Sequence, residues 1–230
     1  MVLLVIFIGF AILSYFVSSR LKSKFAKYSQ VGVSMTGAEA AERMLRDNGI
    51  YDVTIRPVDG SLTDHYNPSD KSINLSHDVY YGRSVSAVAV AAHETGHAVQ
   101  HATAYSMLEF RTALVPLQNV SSKILNVIFI VMFLGSIILP GVLPMTLALQ
   151  IIVAAYSIFT LFAVVTLPVE INASQRAVAW LTNTGVVVGQ TRAQAIDALK
   201  WAAYTYVVAA LSAIATLLYY VMMLLGRSDD

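Results

Sequence analysis

The chain contains no cysteine, which excludes disulfides and thiolate metal sites. Any metal it binds must therefore rest on His, Asp or Glu. Charge is also scarce. Only 13% of the 230 residues are Asp, Glu, Lys or Arg, roughly half the share usual in a soluble domain. The charges nearly cancel, to +1, and no run of Lys and Arg mixed with aromatics occurs, so no nucleic acid is expected as a partner. Internal repeats and low-complexity segments are lacking too. What the chain has in abundance is apolar side chain, 57% of the total, with a mean hydropathy of +0.64. That balance describes an integral membrane protein whose first partner is the lipid bilayer.

A helix needs about 20 largely apolar residues to cross a bilayer. Val2–Val17, extended by Ser18 and Ser19, supplies one such stretch. Ile124–Leu139 and Met145–Leu167 supply two more, joined by a tight turn predicted at Pro140–Pro144, and Ala202–Leu225 a fourth. Arg20, Lys22, Lys24 and Lys27 directly follow the first stretch and nothing basic precedes it, the reverse of the charge order in a cleaved signal peptide. The positive-inside rule then places the N-terminus outside and Arg20 onward in the cytoplasm. Four spans put residues 20–123 and 168–200 on the same side, and fourteen of the fifteen Lys and Arg fall there, with only Arg227 elsewhere.

In the first polar stretch, Thr36–Asn48 has the pattern of a short amphipathic helix. Thr36 with Glu39 forms a capping box, and Asn48-Gly49 provides a stop. Strand-like alternation follows at Tyr51–Arg56, with shorter candidates at Ser61–Tyr66 and Ser72–Leu75. The run Ile73, Asn74, Leu75, Ser76 is the expected free edge against which an extended peptide substrate would pair. An ordinary hairpin packed on a helix explains the same pattern equally well. In the second polar stretch, Gly185–Trp201 has helical spacing with a polar face, as expected of a helix lying on the membrane surface or against the soluble part.

The chemistry is concentrated at His93-Glu94-Thr95-Gly96-His97, at the end of the Ala/Val-rich run 84–92. Residues four apart share a helix face, so His93 and His97 can offer two imidazoles to one zinc ion, and Glu94 can serve as general base toward a water that the zinc acidifies. The plainer alternative is a helix carrying two unrelated histidines. A catalytic zinc usually takes a third protein ligand, and His65, His77, His101 or a carboxylate could supply it. His101 lies eight residues beyond His93, about 12 Å along a helix, too far to join it on one ion. Glu170, immediately after the third span and on the same side as the histidines, is the better candidate. Its alternative use is to cap the helix that begins there.

His93-Glu-Thr-Gly-His97-Ala-Val-Gln, Asp64-His65-Tyr66-Asn67-Pro68 and Pro168-Val-Glu170-Ile-Asn-Ala-Ser174, together with the order of spans, resemble the YugP-type neutral zinc metallopeptidases of bacteria over essentially the whole chain. That family is gluzincin-like and similar to the HtpX- and Ste24-type membrane proteases. The resemblance implies that His93, His97 and Glu170 bind one Zn2+ per chain and that Glu94 is the general base. It also exposes a departure. Gluzincins carry an Asp four residues after the glutamate ligand to orient a zinc-bound His, and here that position is Ser174, with Asn172 nearby. An oxyanion donor is needed as well. His65 and Tyr66 are the candidates, with Arg176 behind them, unless the Asp-His-Tyr segment is only a polar turn.

The expected fold is a mainly α integral membrane protein, with four transmembrane helices and a small α+β zincin-like catalytic part in the cytoplasm. Its segments are a first helix at 1–19, the catalytic region at 20–123, a hairpin of two helices at 124–167, the segment with the third ligand at 168–200 and a last helix at 201–226. The expected function is a zinc-dependent endopeptidase of the bacterial inner membrane, acting on polypeptide substrates in membrane protein quality control. A non-proteolytic zinc-binding scaffold is the alternative, disfavoured because a structural site has no use for Glu94. A zinc transporter is disfavoured because the four apolar stretches contain no ionisable residue of the kind transport requires. Oligomeric state is left open.

Overall fold

The computed structural model describes residues 1–138 and 143–226, the side chains of 135–138 aside. The expected turn at Pro140, Gly141 and Val142 lies outside the described residues, as does Arg227. The elements in chain order are α1 (Val2–Tyr28), α2 (Gly37–Asp47), β1 (Thr54–Val58), β2 (His65–Asn67), β3 (Ser72–Ser76), α3 (His77–Tyr80), α4 (Val85–Ala102), α5 (Ser106–Ile138), α6 (Met145–Asn183) and α7 (Gly189–Leu225). Helices α1, α5, α6 and α7 are each long and apolar enough to cross a membrane. Each runs well past its apolar stretch: α1 through the basic residues to Tyr28, and α6 through Pro168, which removes one backbone donor without ending the helix. The segment expected as a separate helix at 185–201 starts at Gly189 and continues unbroken into the fourth apolar stretch.

The chain divides into two compact units. The first comprises Met1–Ser14, Phe110–Leu167 and Tyr206–Asp230. Its core is built from Leu125, Ile128, Ala148, Leu149, Ile152, Ala155 and Tyr220. Tyr156 and Tyr220 stack with ring centroids 5.2 Å apart, and Thr160 bonds across to the Ala213 carbonyl at 3.2 Å. Large apolar side chains such as Ile12, Phe133 and Met222 face outward. That inverts the soluble pattern and suits an acyl-chain environment.

The second unit, Tyr15–Glu109 with Pro168–Thr205, holds the polar chemistry. At its centre runs α4, buried from Val85 through Gln100 except for Val90. A helix covered on nearly every side needs no polar face, which is why its sequence is mostly Ala and Val. Ser84 caps it, accepting from the Ala87 amide at 3.3 Å. Helix α2 begins with the capping box read from the sequence: Glu39 N–H donates to Thr36 Oγ1 at 3.1 Å, and Thr36 N–H to Glu39 Oε2 at 2.8 Å. It ends at Gly49, whose φ of +71° an L side chain would resist. Ala40, Ala41, Met44 and Leu45 belong to the same buried cluster as Ile73, Leu75 and the Ala/Val face of α4.

The three strands form one sheet in the order β1-β3-β2, with β1 parallel and β2 antiparallel to β3. This corrects one expectation. Ile73, Asn74 and Leu75 lie on the central strand, not on an edge. Tyr66↔Ile73 and His65↔Asn74 pair them on one side, Ile55↔Ile73 and Pro57↔Leu75 on the other. Ile73 and Leu75 are wholly buried, so the apolar alternation marks a core strand between two short, partly exposed ones. The expected strand at 61–66 reduces to His65–Asn67, and the one at 51–56 shifts to 54–58.

Candidate metal centre

His93 and His97 stand one helical turn apart on α4, with ring centroids 4.8 Å apart and ring planes at 83°. Glu170, in the part of α6 that belongs to the same unit, brings its Oε2 to 3.2 Å from His93 Nε2 and 3.5 Å from His97 Nε2. One ligand atom from each of the three lies within 4.8 Å of the others. All three residues are at most 9% exposed, and Glu170 only 3%. Gly96 carries no Cβ where α4 meets the backbone of α6 at Ala173. A methyl built on Gly96 would sit 2.6 Å from the Ala173 carbonyl oxygen and 3.1 Å from its Cα. Gly96 is thus what lets the Glu170 helix approach the two histidines.

The donor set fits a divalent cation. Glu170 Oε2 is buried and accepts no hydrogen bond. The two imidazole nitrogens stand at ion-pair distance from it without the angular geometry of a bond. Leaving a carboxylate oxygen so is costly unless a cation occupies the point on which the three atoms converge. Burial pushes the His97 imidazole down, but the Glu170 and Glu94 carboxylates outweigh it and hold it above the ordinary value. The pocket therefore favours positive charge. Two nitrogens and an oxygen from buried, pre-placed side chains form a donor set suited to zinc.

The far ring nitrogens have partners too. His97 Nδ1 lies 3.0 Å from Gln100 Oε1, and His93 Nδ1 lies 3.1 Å from Ser174 Oγ. The position four residues after Glu170 thus sets a hydroxyl beside His93, where a carboxylate would be usual. Gln100 was not singled out. Its signal was present, as a glutamine three residues after His97 on the helix face that carries both histidines, and the partners it meets on α6 appear only when the helices are packed.

Glu94 is buried, and its Oε2 accepts the Tyr66 backbone N–H at 3.0 Å. Edge strand β2 is therefore tied to the Glu94 carboxylate. The Tyr66 phenol points to His101, 2.7 Å from its Nδ1, and burial pushes it up to about 12. His65 is exposed and its Nδ1 donates to the Thr63 carbonyl at 2.8 Å. Asp64 accepts from the Ser76 backbone N–H at 2.7 Å and from its hydroxyl, and burial nonetheless raises its carboxyl above the ordinary value. Arg176 Nε donates to Asn172 Oδ1 at 2.8 Å. His77 lies on the surface, 3.8 Å from Asp59.

A buried His-His-Glu group on two helices, with a second glutamate beside it and four apolar helices in the chain, defines the class of membrane zinc metallopeptidases. Residues 3–225 match the family described as "Putative neutral zinc metallopeptidase", and the chain belongs to that family. It is 42% identical over 221 residues, 95% of this chain and 94% of the other, to the protein of Bacillus subtilis (strain 168) named "Putative membrane protease YugP". No solved structure matches the chain.

Proposed function

We propose that the protein is a membrane-embedded zinc endopeptidase that hydrolyses peptide bonds of protein substrates, with His93, His97 and Glu170 as metal ligands and Glu94 as general base. The observation that carries this reading is the buried Oε2 of Glu170, without a hydrogen bond and facing two imidazole nitrogens, with the Glu94 carboxylate at the position after His93. Zinc bound there supplies Lewis acidity toward a carbonyl oxygen and lowers the pKa of a water. Glu94 takes the proton of the attacking water as its oxygen bonds to the scissile carbonyl carbon. It then delivers that proton to the amine nitrogen as the C–N bond breaks. The Tyr66 N–H fixes one oxygen of the Glu94 carboxylate, so the base is oriented before substrate arrives.

Substrate pairs with the backbone of β2, the edge strand tied to Glu94, in place of Ile73–Ser76, which the sequence suggested as the free edge and which is central in the sheet. His65, exposed on that strand, is the side chain placed to donate to the developing oxyanion. The active site faces the cytoplasm, as the Lys and Arg distribution supports. Damaged or unassembled membrane proteins are the substrates that suit a site in a chain with four apolar helices. The catalytic region is residues 20–123, completed by residues 168–200.

The test is to purify wild type and Glu94→Gln in detergent, measure zinc in both, and follow degradation of an unfolded protein. Equal zinc with cleavage by the wild type alone supports the proposal. Equal zinc with no difference in cleavage points to a zinc-binding scaffold instead.

A further inference from the structure

We infer that Gln100 is a positioning residue that sets two of the three metal ligands at once, a role that rests on reading His93, His97 and Glu170 as a metal site. Its side chain is wholly buried, where an unpaired amide would be costly. Every polar atom of it has a partner. Nε2 lies 2.8 Å from the Val169 carbonyl and 3.0 Å from Asn172 Oδ1, and Oε1 lies 3.0 Å from His97 Nδ1.

The orientation of the amide follows from chemistry alone. A backbone carbonyl only accepts, so the atom facing Val169 must be the NH2 group. Arg176 Nε only donates, so the Asn172 atom it contacts at 2.8 Å is the oxygen, which again requires NH2 from Gln100. Two independent partners thus turn the Gln100 oxygen toward His97. An oxygen there obliges His97 Nδ1 to carry hydrogen, and in the neutral ring the lone pair is left on Nε2, the atom directed at Glu170. The same NH2 group grips the carbonyl of Val169, the residue before Glu170. One side chain on α4 therefore fixes the tautomer of one ligand and holds the backbone that carries another.

The partner is also neutral. Carboxylates commonly orient metal-bound histidines, but here Gln100 serves His97 and Ser174 serves His93, so neither adds negative charge. Removing such a partner typically lowers metal affinity about 10- to 100-fold.

The test compares wild type, Gln100→Met and Gln100→Glu in detergent, each first shown to be folded by circular dichroism and size exclusion. Zinc affinity is measured by competition with a chromophoric chelator. The His97 ring is followed by 15N NMR on histidine-labelled, metal-free protein in alkaline buffer, with a His97→Asn sample for assignment. We expect Gln100→Met to bind zinc about 10- to 100-fold more weakly and to lose the preference for hydrogen on Nδ1. Gln100→Glu, which still accepts from Nδ1 but has no amide for Val169 and Asn172, should keep the tautomer and recover affinity only in part. If Gln100→Met binds zinc as wild type does, with the tautomer unchanged, the inference is overturned. If wild type binds no zinc, the metal-site reading fails instead. The tautomer shift in Gln100→Met would then still separate the role of Gln100 from that failure.

Discussion

Replacing Gly96 by alanine tests whether close helix approach builds the metal site. The added methyl would lie 2.6 Å from the Ala173 carbonyl oxygen, 0.8 Å inside the 3.4 Å at which ordinary contact begins. The atoms it meets are backbone, so no side-chain rotation relieves the clash and the helices must separate. Glu170 lies three residues before Ala173, about 4.5 Å along the same rigid helix, so most of the shift reaches its carboxylate. Metal–ligand distances tolerate about 0.2 Å. Overpacking of this kind costs about 1–3 kcal/mol, and borne by the metal-loaded state it corresponds to roughly 5- to 150-fold weaker zinc binding. Chelator competition and thermal unfolding in detergent measure both effects. Gly49→Ala is the control. Its φ of +71° makes alanine strained, but nothing lies within 4 Å of the new methyl. It should lower the melting temperature and leave zinc affinity unchanged. A Gly96→Ala protein that binds zinc as tightly as wild type would refute the reasoning.

Three further predictions follow from the same unit. Ile73→Ala, at the wholly buried centre of β3, should cost about 2–5 kcal/mol in denaturant unfolding; a cost below 1 kcal/mol would contradict a central, fully packed strand. Stripping the metal with a chelator should lower the melting temperature, and zinc but not magnesium should restore it, because the ligands are two imidazoles and one carboxylate. Asp64 has a carboxyl raised by burial, so its contribution to stability is greatest at low pH and is lost as pH rises past the ordinary aspartate value of 3.8. Asp64→Asn keeps an acceptor for the Ser76 amide, and its stability relative to wild type should therefore rise with pH; a constant difference from acid to neutral would count against this.

The helices of this protein were legible because their signals are local. The Thr36–Glu39 capping box, the stop at Gly49 and the four apolar stretches each lie within a few turns of chain, and each stands where expected. The i, i+4 histidines are local too. Glu170 was reached by combining span order with charge distribution, which carries information over 73 residues without any contact being visible. The sheet was harder. An apolar four-residue run reads alike on an edge or a central strand, and only the pairing of β3 with both β1 and β2 distinguishes them. Gln100 and Gly96 escaped for a related reason. What each does is defined by an atom on α6, the Val169 or Ala173 carbonyl, more than sixty residues away in sequence and carrying no side-chain signature.

The most direct measurement is metal content and X-ray absorption on the purified wild type beside Glu170→Ala. One zinc per chain is expected in the wild type, surrounded at about 2.0–2.2 Å by nitrogen and oxygen with two imidazoles, and a large loss of zinc in the variant. A wild type without zinc, or zinc whose coordination is untouched by Glu170→Ala, would contradict the metal-site reading.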